Sequence, residues 1–340
     1  QKYYSDDAQL MAMLGTAYMQ VKRYEEGSAL MTKAIEISPD LAAYRTQLAL
    51  GLLAQGKTGE AISELESTTS MEGEFVQADV LLVLSHINKK DYVKALEASQ
   101  ALEKKSPDNP ISYNLTGLAY MMSGETDKAG QRFRKALEVD PNFITAYANL
   151  ARLAMQKDDI EQAKEELNKA RDKAPKNTTV LMGLADLAKR EGDQEKMITL
   201  LEQAQNGEPK SSRPGLILTQ TYLSEGLPLK ALRISSQLSA DYPKEPAVLA
   251  THGRAQLASG DAINAVTTFK RLTEIVKNAE SLQMLGNAQQ GAKQFDDARE
   301  SYKEALELTP GFIPVLIGQY SLELSTGNTD LALTHAQTTQ

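Results

Sequence analysis

The chain has 340 residues, a formal net charge of −8 and a sequence pI of about 5.2. This acidic balance disfavours nucleic acid as a partner, because nucleic-acid binding needs a concentrated basic surface. The sequence contains no cysteine, which excludes disulfides and thiolate metal sites. No apolar run approaches the roughly 18 residues that span a bilayer, so we expect no transmembrane segment within this sequence.

Proline recurs in one register of a 34-residue period. It occupies that register at Pro39, Pro107, Pro141, Pro175, Pro209 and Pro243. Alanine follows the same period at Ala61, Ala95, Ala129, Ala163, Ala231 and Ala265. A repeat of this length predicts a helix, a turn and a second helix, and stacking of neighbouring units buries the apolar face that one unit cannot bury alone.

The repeats can be placed in chain order by counting the proline as the thirty-second residue of each unit. The units then begin near residues 8, 42, 76, 110, 144, 178, 212, 246, 279 and 313. The step from 246 to 279 is one residue short, which predicts a deletion in the turn after Val276. We therefore expect about nine full repeats and a partial tenth, in a single domain over residues 1–340 that is a fragment of a longer array.

Small residues recur where the two helices of a unit are expected to cross. The eighth residue of a unit is glycine at Gly15, Gly117, Gly253 and Gly286, and a missing Cβ lets two backbones approach closely. Large side chains are expected to fill the remaining space, at Tyr18, Phe133, Phe269 and Tyr302. Glycine also recurs after the first helix, at Gly56, Gly124, Gly192, Gly226, Gly260 and Gly327, where the left-handed conformation ends a helix.

This period and these residue types resemble the tetratricopeptide repeat family. The resemblance implies an all-α fold, a right-handed superhelical solenoid of helix-turn-helix units. It also implies that the first helices line a concave groove, with the second, fifth, ninth, twelfth and thirteenth residues of each unit facing it.

Carried onto this sequence, those positions give two sets of candidate partner-binding residues. Units two to four supply an apolar set: Leu50, Leu53, Val80, Leu84, Ile87, Leu118, Met121 and Met122. Units five to eight supply a basic set: Arg152, Lys189, Arg190, Arg213 and Arg254. We expect a protein or peptide partner, since methionine adapts to varied surfaces and arginine pairs with carboxylates. The alternative is that the apolar set packs between neighbouring first helices and the cations are ordinary solvated charge.

No catalytic constellation stands out. The segment from Gly51 to Thr58 matches the phosphate-binding loop pattern, but that loop must follow a buried strand, whereas this segment lies at the end of a predicted first helix. The histidines His86, His252 and His335 lie in different units, and we interpret the first two as packing residues. We therefore expect no enzyme activity, no cofactor and no metal.

Three stretches carry a narrower resemblance: YRTQLAL at 44–50, QADVLL at 77–82 and ALEKKSPDNP at 101–110. They resemble the bacterial tetratricopeptide lipoproteins associated with the PEP-CTERM and exosortase sorting system. The resemblance implies an N-terminal lipid anchor in the full-length protein, a place beside exopolysaccharide export machinery, and a location in the periplasm or at the outer membrane. This sequence lacks the anchor cysteine, which fits a fragment.

We therefore expect a non-catalytic interaction scaffold in exopolysaccharide export or surface protein sorting. The alternative is a docking arm of an enzyme, such as a glycosyltransferase, whose catalytic domain lies outside this sequence. We also expect self-association through apolar residues near the C-terminus: Ile317, Leu322 and Leu324.

Overall fold

The structure is a computed structural model that describes residues 7–71, 73, 75–208 and 210–338, with side chains described through residue 333. These residues form twenty α-helices and no β-strand, which confirms the predicted all-α class. None of the helices formed by the described residues combines the length and the apolar character needed to cross a membrane.

Odd-numbered helices are the first helices of the units and even-numbered helices are the second. The bounds are α1 (Ala8–Gln20), α2 (Tyr24–Ile37), α3 (Ala42–Ala54), α4 (Thr58–Thr69), α5 (Val76–Asn88), α6 (Tyr92–Lys105), α7 (Pro110–Met122), α8 (Thr126–Val139), α9 (Ile144–Gln156), α10 (Ile160–Lys173), α11 (Thr178–Arg190), α12 (Gln194–Gln205), α13 (Arg213–Ser224), α14 (Pro228–Asp241), α15 (Pro246–Ala258), α16 (Ala262–Ile275), α17 (Ala279–Gly291), α18 (Phe295–Leu308), α19 (Ile313–Ser325) and α20 (Thr329–Thr338).

The chain divides between Ala174 and Pro175 into two compact units. The first compact unit contains α1 to α10 and the second contains α11 to α20. Within each, a first helix packs on the second helix of its own repeat, and that second helix packs on the next first helix. This is the consecutive helix-pair packing expected from the period. That residues 1–340 form a single domain stays a prediction.

The first helices begin where the period placed the repeats. Nine of them start at the predicted residue, and α13 starts at Arg213 instead of 212. The missing residue is in the turn after α16, because three residues separate α16 from α17 and four separate α14 from α15. Asn278 ends this short turn with a capping box, in which its side chain accepts the Ser281 N–H and its own N–H donates to Ser281 Oγ.

The second helices α4 and α12 have 12 residues each, whereas the second helices of the other repeats from the first to the ninth have 14. A longer connection to the next first helix follows each of these two shorter helices. After α12 the chain turns back along the start of α11. The Glu208 N–H donates to the Lys176 carbonyl at 2.9 Å, and the Thr178 N–H donates to the Glu208 carbonyl at 3.1 Å. Pro209, which the sequence analysis counted in the proline register, lies outside the described residues.

Each first helix ends at a residue in the left-handed conformation. The six glycines predicted there all have positive φ, which confirms that prediction. The other four units place a residue with a side chain in the same register: Lys22, Lys90, Asp158 and Lys293. The following N–H then reaches back to a carbonyl five residues earlier, as from Lys57 to Leu52 and from Asp91 to His86, both at 2.9 Å.

The helix crossings confirm the predicted role of the eighth residue. A Cβ at Gly117 would lie 2.6 Å from the Phe133 ring, and one at Gly253 would lie 2.4 Å from the Phe269 ring. In the first repeat the buried Met31 lies against Gly15, and Tyr18 is only half-buried, with the Arg23 guanidinium 4.5 Å from its ring centre. The prediction that Tyr18 fills this crossing was therefore wrong.

The contact between Gly117 and Phe133 leads to a first prediction. Gly117→Ala should lower the free energy of unfolding by about 1–3 kcal/mol, because the new methyl group overpacks the crossing. The urea midpoint followed by circular dichroism measures the change. Gly59→Ala is the matched control: a Cβ there meets nothing within 4 Å, so alanine should be neutral or stabilising by up to about 1 kcal/mol. Equal effects of the two changes would contradict the steric explanation.

The left-handed residues give a second prediction. Lys90 has φ of +62°, which costs a residue with a Cβ about 1–2 kcal/mol. Lys90→Gly should therefore raise the urea midpoint, and Gly124→Lys, at the same register of the next repeat, should lower it. A Lys90→Gly variant less stable than the unchanged chain would show that the side chain contributes more than the backbone conformation costs.

Candidate peptide-binding surface

The apolar set predicted for the groove lies on α3, α5 and α7 of the first compact unit. Two of its members, Leu84 and Met122, are exposed. Five others are half-buried: Leu50, Leu53, Val80, Ile87 and Leu118. Half-burial fits both a groove lining and the alternative considered for the set, in which these side chains pack between neighbouring helices.

Four of the five half-buried members pack against buried core clusters, Leu53 and Leu118 among them. Val80 and Ile87 pack against the buried cluster that contains Val83, Leu102 and Leu115. Each half-buried side chain still has a part open to solvent, so the groove assignment of these residues stays a prediction.

Met121 corrects the sequence-based assignment. Its side chain is only 6% exposed, because it joins the core cluster around Phe133 and Leu153. Met121 stabilises the fold and cannot line an open groove. The neighbouring Met122 is exposed, so a one-residue difference along the helix separates core from surface.

All five members of the basic set are exposed. Two of them already have carboxylate partners: the Arg190 guanidinium is 3.3 Å from Asp186, and that of Arg254 is 3.6 Å from Glu280. The remaining three, Arg152, Lys189 and Arg213, pair with no carboxylate among the residues that the structure describes. Arg152 lies in the first compact unit, and the other four lie in the second.

A cavity of about 590 Å³ lies beside Lys189 in the second compact unit, between α11, α12 and α13. Its apolar lining comes from Met197, Leu216 and Ile217. Its polar lining consists of Gln194, Gln220, Thr221 and Ser224. The cavity thus combines apolar walls, hydrogen-bonding side chains and one cation without a carboxylate partner, which is the composition of a site that recognises a specific ligand.

A second cavity, of about 340 Å³, lies between α15, α17 and α19 beside Arg254. Leu257, Met284 and Phe312 supply its apolar lining. Glu280 lines the same cavity and neutralises Arg254. This second cavity therefore offers an anionic ligand less than the cavity beside Lys189 does.

The repeat register explains how the cavity beside Lys189 is built. Lys189 is the twelfth residue of its unit, and Leu216, Gln220 and Ser224 are the fifth, ninth and thirteenth of the next. The family rule for groove positions covers all four, although the sequence analysis selected only the charged residues in this part of the chain. Met197 lies on a second helix, and no groove position predicts it.

The phosphate-binding loop match has the helical context that the sequence analysis predicted. Within the described residues around it, α3 runs into the segment, Gly56 has φ of +76°, and α4 begins at Thr58. Gly51 lies inside α3, where a Cβ would be 2.6 Å from Met19 Cε. The glycine at position 51 is therefore explained by the close packing of α3 against Met19 of the preceding repeat.

Two histidines lie in the protein interior, as the sequence analysis interpreted them. His86 is buried on α5 with Glu66 at 3.8 Å, and His252 is buried on α15 with its Nδ1 3.0 Å from Ser235 Oγ. Burial lowers the pKa of both imidazoles. The side chain of His335 lies outside the described residues, and the described ones contain no group of three or more His, Asp or Glu that could hold a metal ion.

Comparison with known families agrees with this architecture. Residues 17–221 match the family model for the N-terminal ARM repeat of tetratricopeptide repeat protein 21, and residues 279–312 match the model of a single tetratricopeptide repeat. The chain belongs to the tetratricopeptide repeat family. The narrower lipoprotein group suggested by the sequence is not among these matches and stays a prediction.

Solved structures of similar fold include PilF from Pseudomonas aeruginosa. Its TM-score is 0.50 at 23% identity, over 62% of this tetratricopeptide chain and 97% of that one. The Cut9–Hcn1 hetero-tetramer of the APC/C aligns over 98% of this chain and 72% of its own, at 16% identity and a TM-score of 0.47. At 23% identity the likeness to PilF shows the fold alone.

Among curated proteins, human protein O-mannosyl-transferase TMTC1 is 27% identical over 147 residues. The match covers 42% of this chain and 17% of the human protein. The chain therefore spans less than a fifth of that relative's length.

The buried His252 leads to a pH prediction. Its pKa is lowered first by burial and then by the charge of Arg271, with an opposing contribution from Asp261. The folded state thus holds the proton more weakly than the unfolded chain, so stability should fall as the pH drops below about 6.5.

Urea midpoints at neutral pH and near pH 5.5 test this for the unchanged chain and for His252→Gln. The variant should lose less stability over that interval, because glutamine does not titrate. The same loss in both proteins would contradict the assignment to His252.

Proposed function

We propose that this chain is a non-catalytic scaffold that binds an extended peptide segment of a partner protein beside Lys189. The tetratricopeptide fold is consistent with protein–protein interaction. The observation that carries the proposal is the 590 Å³ cavity, where apolar side chains and Lys189 lie together on consecutive first helices. Among the described residues, Lys189 combines this cavity with the absence of a carboxylate partner, so we select it from the basic set.

The chemistry of the cavity defines the segment that fits it. An apolar side chain of the partner would enter between Met197, Leu216 and Ile217, which removes its surface from water. A carboxylate one or two residues away would pair with Lys189. Gln220 and Thr221 would hydrogen-bond to the backbone of the segment, which then needs no regular structure of its own.

The bacterial cell envelope is our proposed setting, in exopolysaccharide export or surface protein sorting. Support comes from the three stretches at 44–50, 77–82 and 101–110, which resemble lipoproteins of the PEP-CTERM and exosortase system. In this setting the full-length protein carries a lipid anchor, and the scaffold works in the periplasm or at the outer membrane.

A charge reversal tests the binding site. Peptides selected from a random displayed library should contain an apolar residue next to aspartate or glutamate. Lys189→Glu should weaken their binding by about tenfold or more, measured by fluorescence anisotropy, because a charge-assisted hydrogen bond contributes about 1.5–3 kcal/mol.

Lys270→Glu is the matched control for that experiment. Lys270 is exposed on α16 in the same compact unit and lines neither of the two cavities, and the substitution changes the net charge by the same amount. Equal weakening by both variants would mean that the net charge governs binding, and no effect of Lys189→Glu would move the site elsewhere.

The second candidate function is a docking arm of a glycosyltransferase whose catalytic domain lies outside this sequence. The partial match to protein O-mannosyl-transferase TMTC1 favours it. The full-length coding sequence separates the two: a lipid attachment cysteine before the repeats supports the envelope scaffold, and a transferase domain joined to the repeats supports the docking arm.

A further inference from the structure

A cavity of about 520 Å³ lies in the first compact unit, between the second helices α2 and α4 and the first helix α3. Its lining residues occupy none of the five repeat positions that face the family's groove. The cavity is therefore separate from the candidate peptide-binding surface, and an inference about it does not rest on the site beside Lys189.

Short side chains at one repeat position leave room for this cavity. The twenty-second residue of a repeat is Ala29 in the first repeat and Ser63 in the second, and both line the cavity. From the third repeat to the ninth, this position holds threonine twice and a long polar or charged side chain five times: Glu97, Gln131, Glu165, Arg233 and Glu300. The space between α2 and α4 thus follows from two adjacent repeats that both lack such a side chain.

The uncharged polar side chains of the lining present mainly hydrogen-bond acceptors. Thr32 Oγ1 donates its hydrogen to the Ser28 carbonyl at 3.1 Å, and Ser63 Oγ donates to the Gly59 carbonyl at 3.3 Å, so both hydroxyl oxygens are left as acceptors. The Gln55 amide nitrogen donates to Ser28 Oγ at 2.8 Å, which leaves the Gln55 side-chain carbonyl as an acceptor. A ligand that satisfies this lining must supply several donors.

The charges around the cavity favour a cationic ligand. The lining contains three glutamates, Glu25, Glu60 and Glu64, and one lysine, Lys57. Glu64 already pairs with Arg45 at 2.9 Å. Glu25 and Glu60 are exposed and pair with no cation among the residues that the structure describes. These two carboxylates are therefore available to a ligand, whereas the exposed Lys57 can turn its flexible stem towards solvent.

Two leucines of α3 give the cavity an apolar part. Leu48 and Leu52 line it and are 5% and 6% exposed, so only a narrow strip of each is open. The methylene stem of a long cationic side chain packs well against such a strip while its charged head stays among polar groups.

We propose that this cavity binds an arginine side chain of a partner protein. A guanidinium has five N–H donors, no acceptor and a permanent charge, which matches a lining of acceptors with two unpaired carboxylates. The head pairs with Glu25 and Glu60, and the stem lies against Leu48 and Leu52. Lysine fits less well, because its ammonium is a compact, strongly hydrated charge with fewer donors.

Selection from a random displayed peptide library, on the unchanged chain and on Ser63→Arg, gives the first test. The variant places a guanidinium of the chain's own in the cavity, and Ser63 is exposed, so the variant should fold, which circular dichroism verifies. Peptides that enrich on the unchanged chain and not on the variant should contain arginine. Acidic peptides that bind beside Lys189 should enrich equally on both, so the two sites succeed or fail separately.

Fluorescence anisotropy with a selected arginine peptide then measures which groups bind it. Glu25→Gln with Glu60→Gln should weaken binding by about tenfold or more, because the change removes two charge-assisted hydrogen bonds. Citrulline in place of the peptide's arginine should weaken binding to a similar extent, since it keeps the shape and removes the charge. Lysine at the same place should also bind more weakly than arginine.

Glu36→Gln with Asp40→Asn is the matched control for the double variant. Both residues are exposed in the first repeat, neither lines the cavity, and the pair removes the same charge, so binding should be unchanged. Equal weakening by the two double variants would show that the net charge governs binding, and the proposal would fail. Selected peptides without arginine, or arginine peptides that bind Ser63→Arg as tightly as the unchanged chain, would also overturn it. A lysine peptide that binds as tightly as the arginine peptide would refute the choice of arginine.

Discussion

The fold depends on size complementarity where the two helices of a repeat cross. The eighth residue of a repeat and the residue sixteen positions later pack against each other between the two helices. Glycine is paired with Met31, Phe133, Phe269 or Tyr302, and alanine is paired with Leu65, Leu167 or Leu201. In the third repeat the order is reversed, with Val83 on the first helix and Ser99 on the second, and both are fully buried. In these repeats a small residue on one helix thus meets a larger residue on the other, and either helix can supply the volume that fills the crossing.

The seventh repeat shows what happens when both partners are small. Thr219 and Ser235 occupy the two crossing positions, and both are fully buried. The next repeat contributes His252, whose Nδ1 lies 3.0 Å from Ser235 Oγ. A side chain from the following first helix thus compensates for the missing volume, and the buried hydroxyl obtains a hydrogen-bond partner.

Helix positions could be predicted from the sequence because they depend on local signals with a fixed period. The left-handed residue follows each first helix and the proline register follows the second helix, so nine first helices begin at the predicted residue. The surface was less predictable. Asp186 stands four residues before Arg190, and this ion pair could have been anticipated from helical spacing. Glu280 neutralises Arg254 from the next repeat, and this depends on how two helices are placed in space. The division between Met121 and Met122 likewise depends on which neighbour covers each side chain.

The cavity beside Lys189 lies where the regular repeat is interrupted. The seven-residue turn after the shortened α12 is held by the backbone hydrogen bonds between Glu208 and the start of α11. The same two repeats that this turn connects supply the walls of the cavity. The irregular turn changes how these two repeats pack, which gives a physical reason for a ligand-sized space between them.

The predicted self-association surface on α19 shows the same limit of sequence reasoning. Ile317 and Leu324 are exposed, whereas Leu322 is fully buried, so that part of the prediction was wrong. Leu322 belongs to a core cluster with Tyr302 and Ala305 of α18, so its burial depends on the helix packed against α19. An apolar residue near the end of a sequence is therefore assigned to core or surface only when its neighbouring helix is known, and self-association stays a prediction.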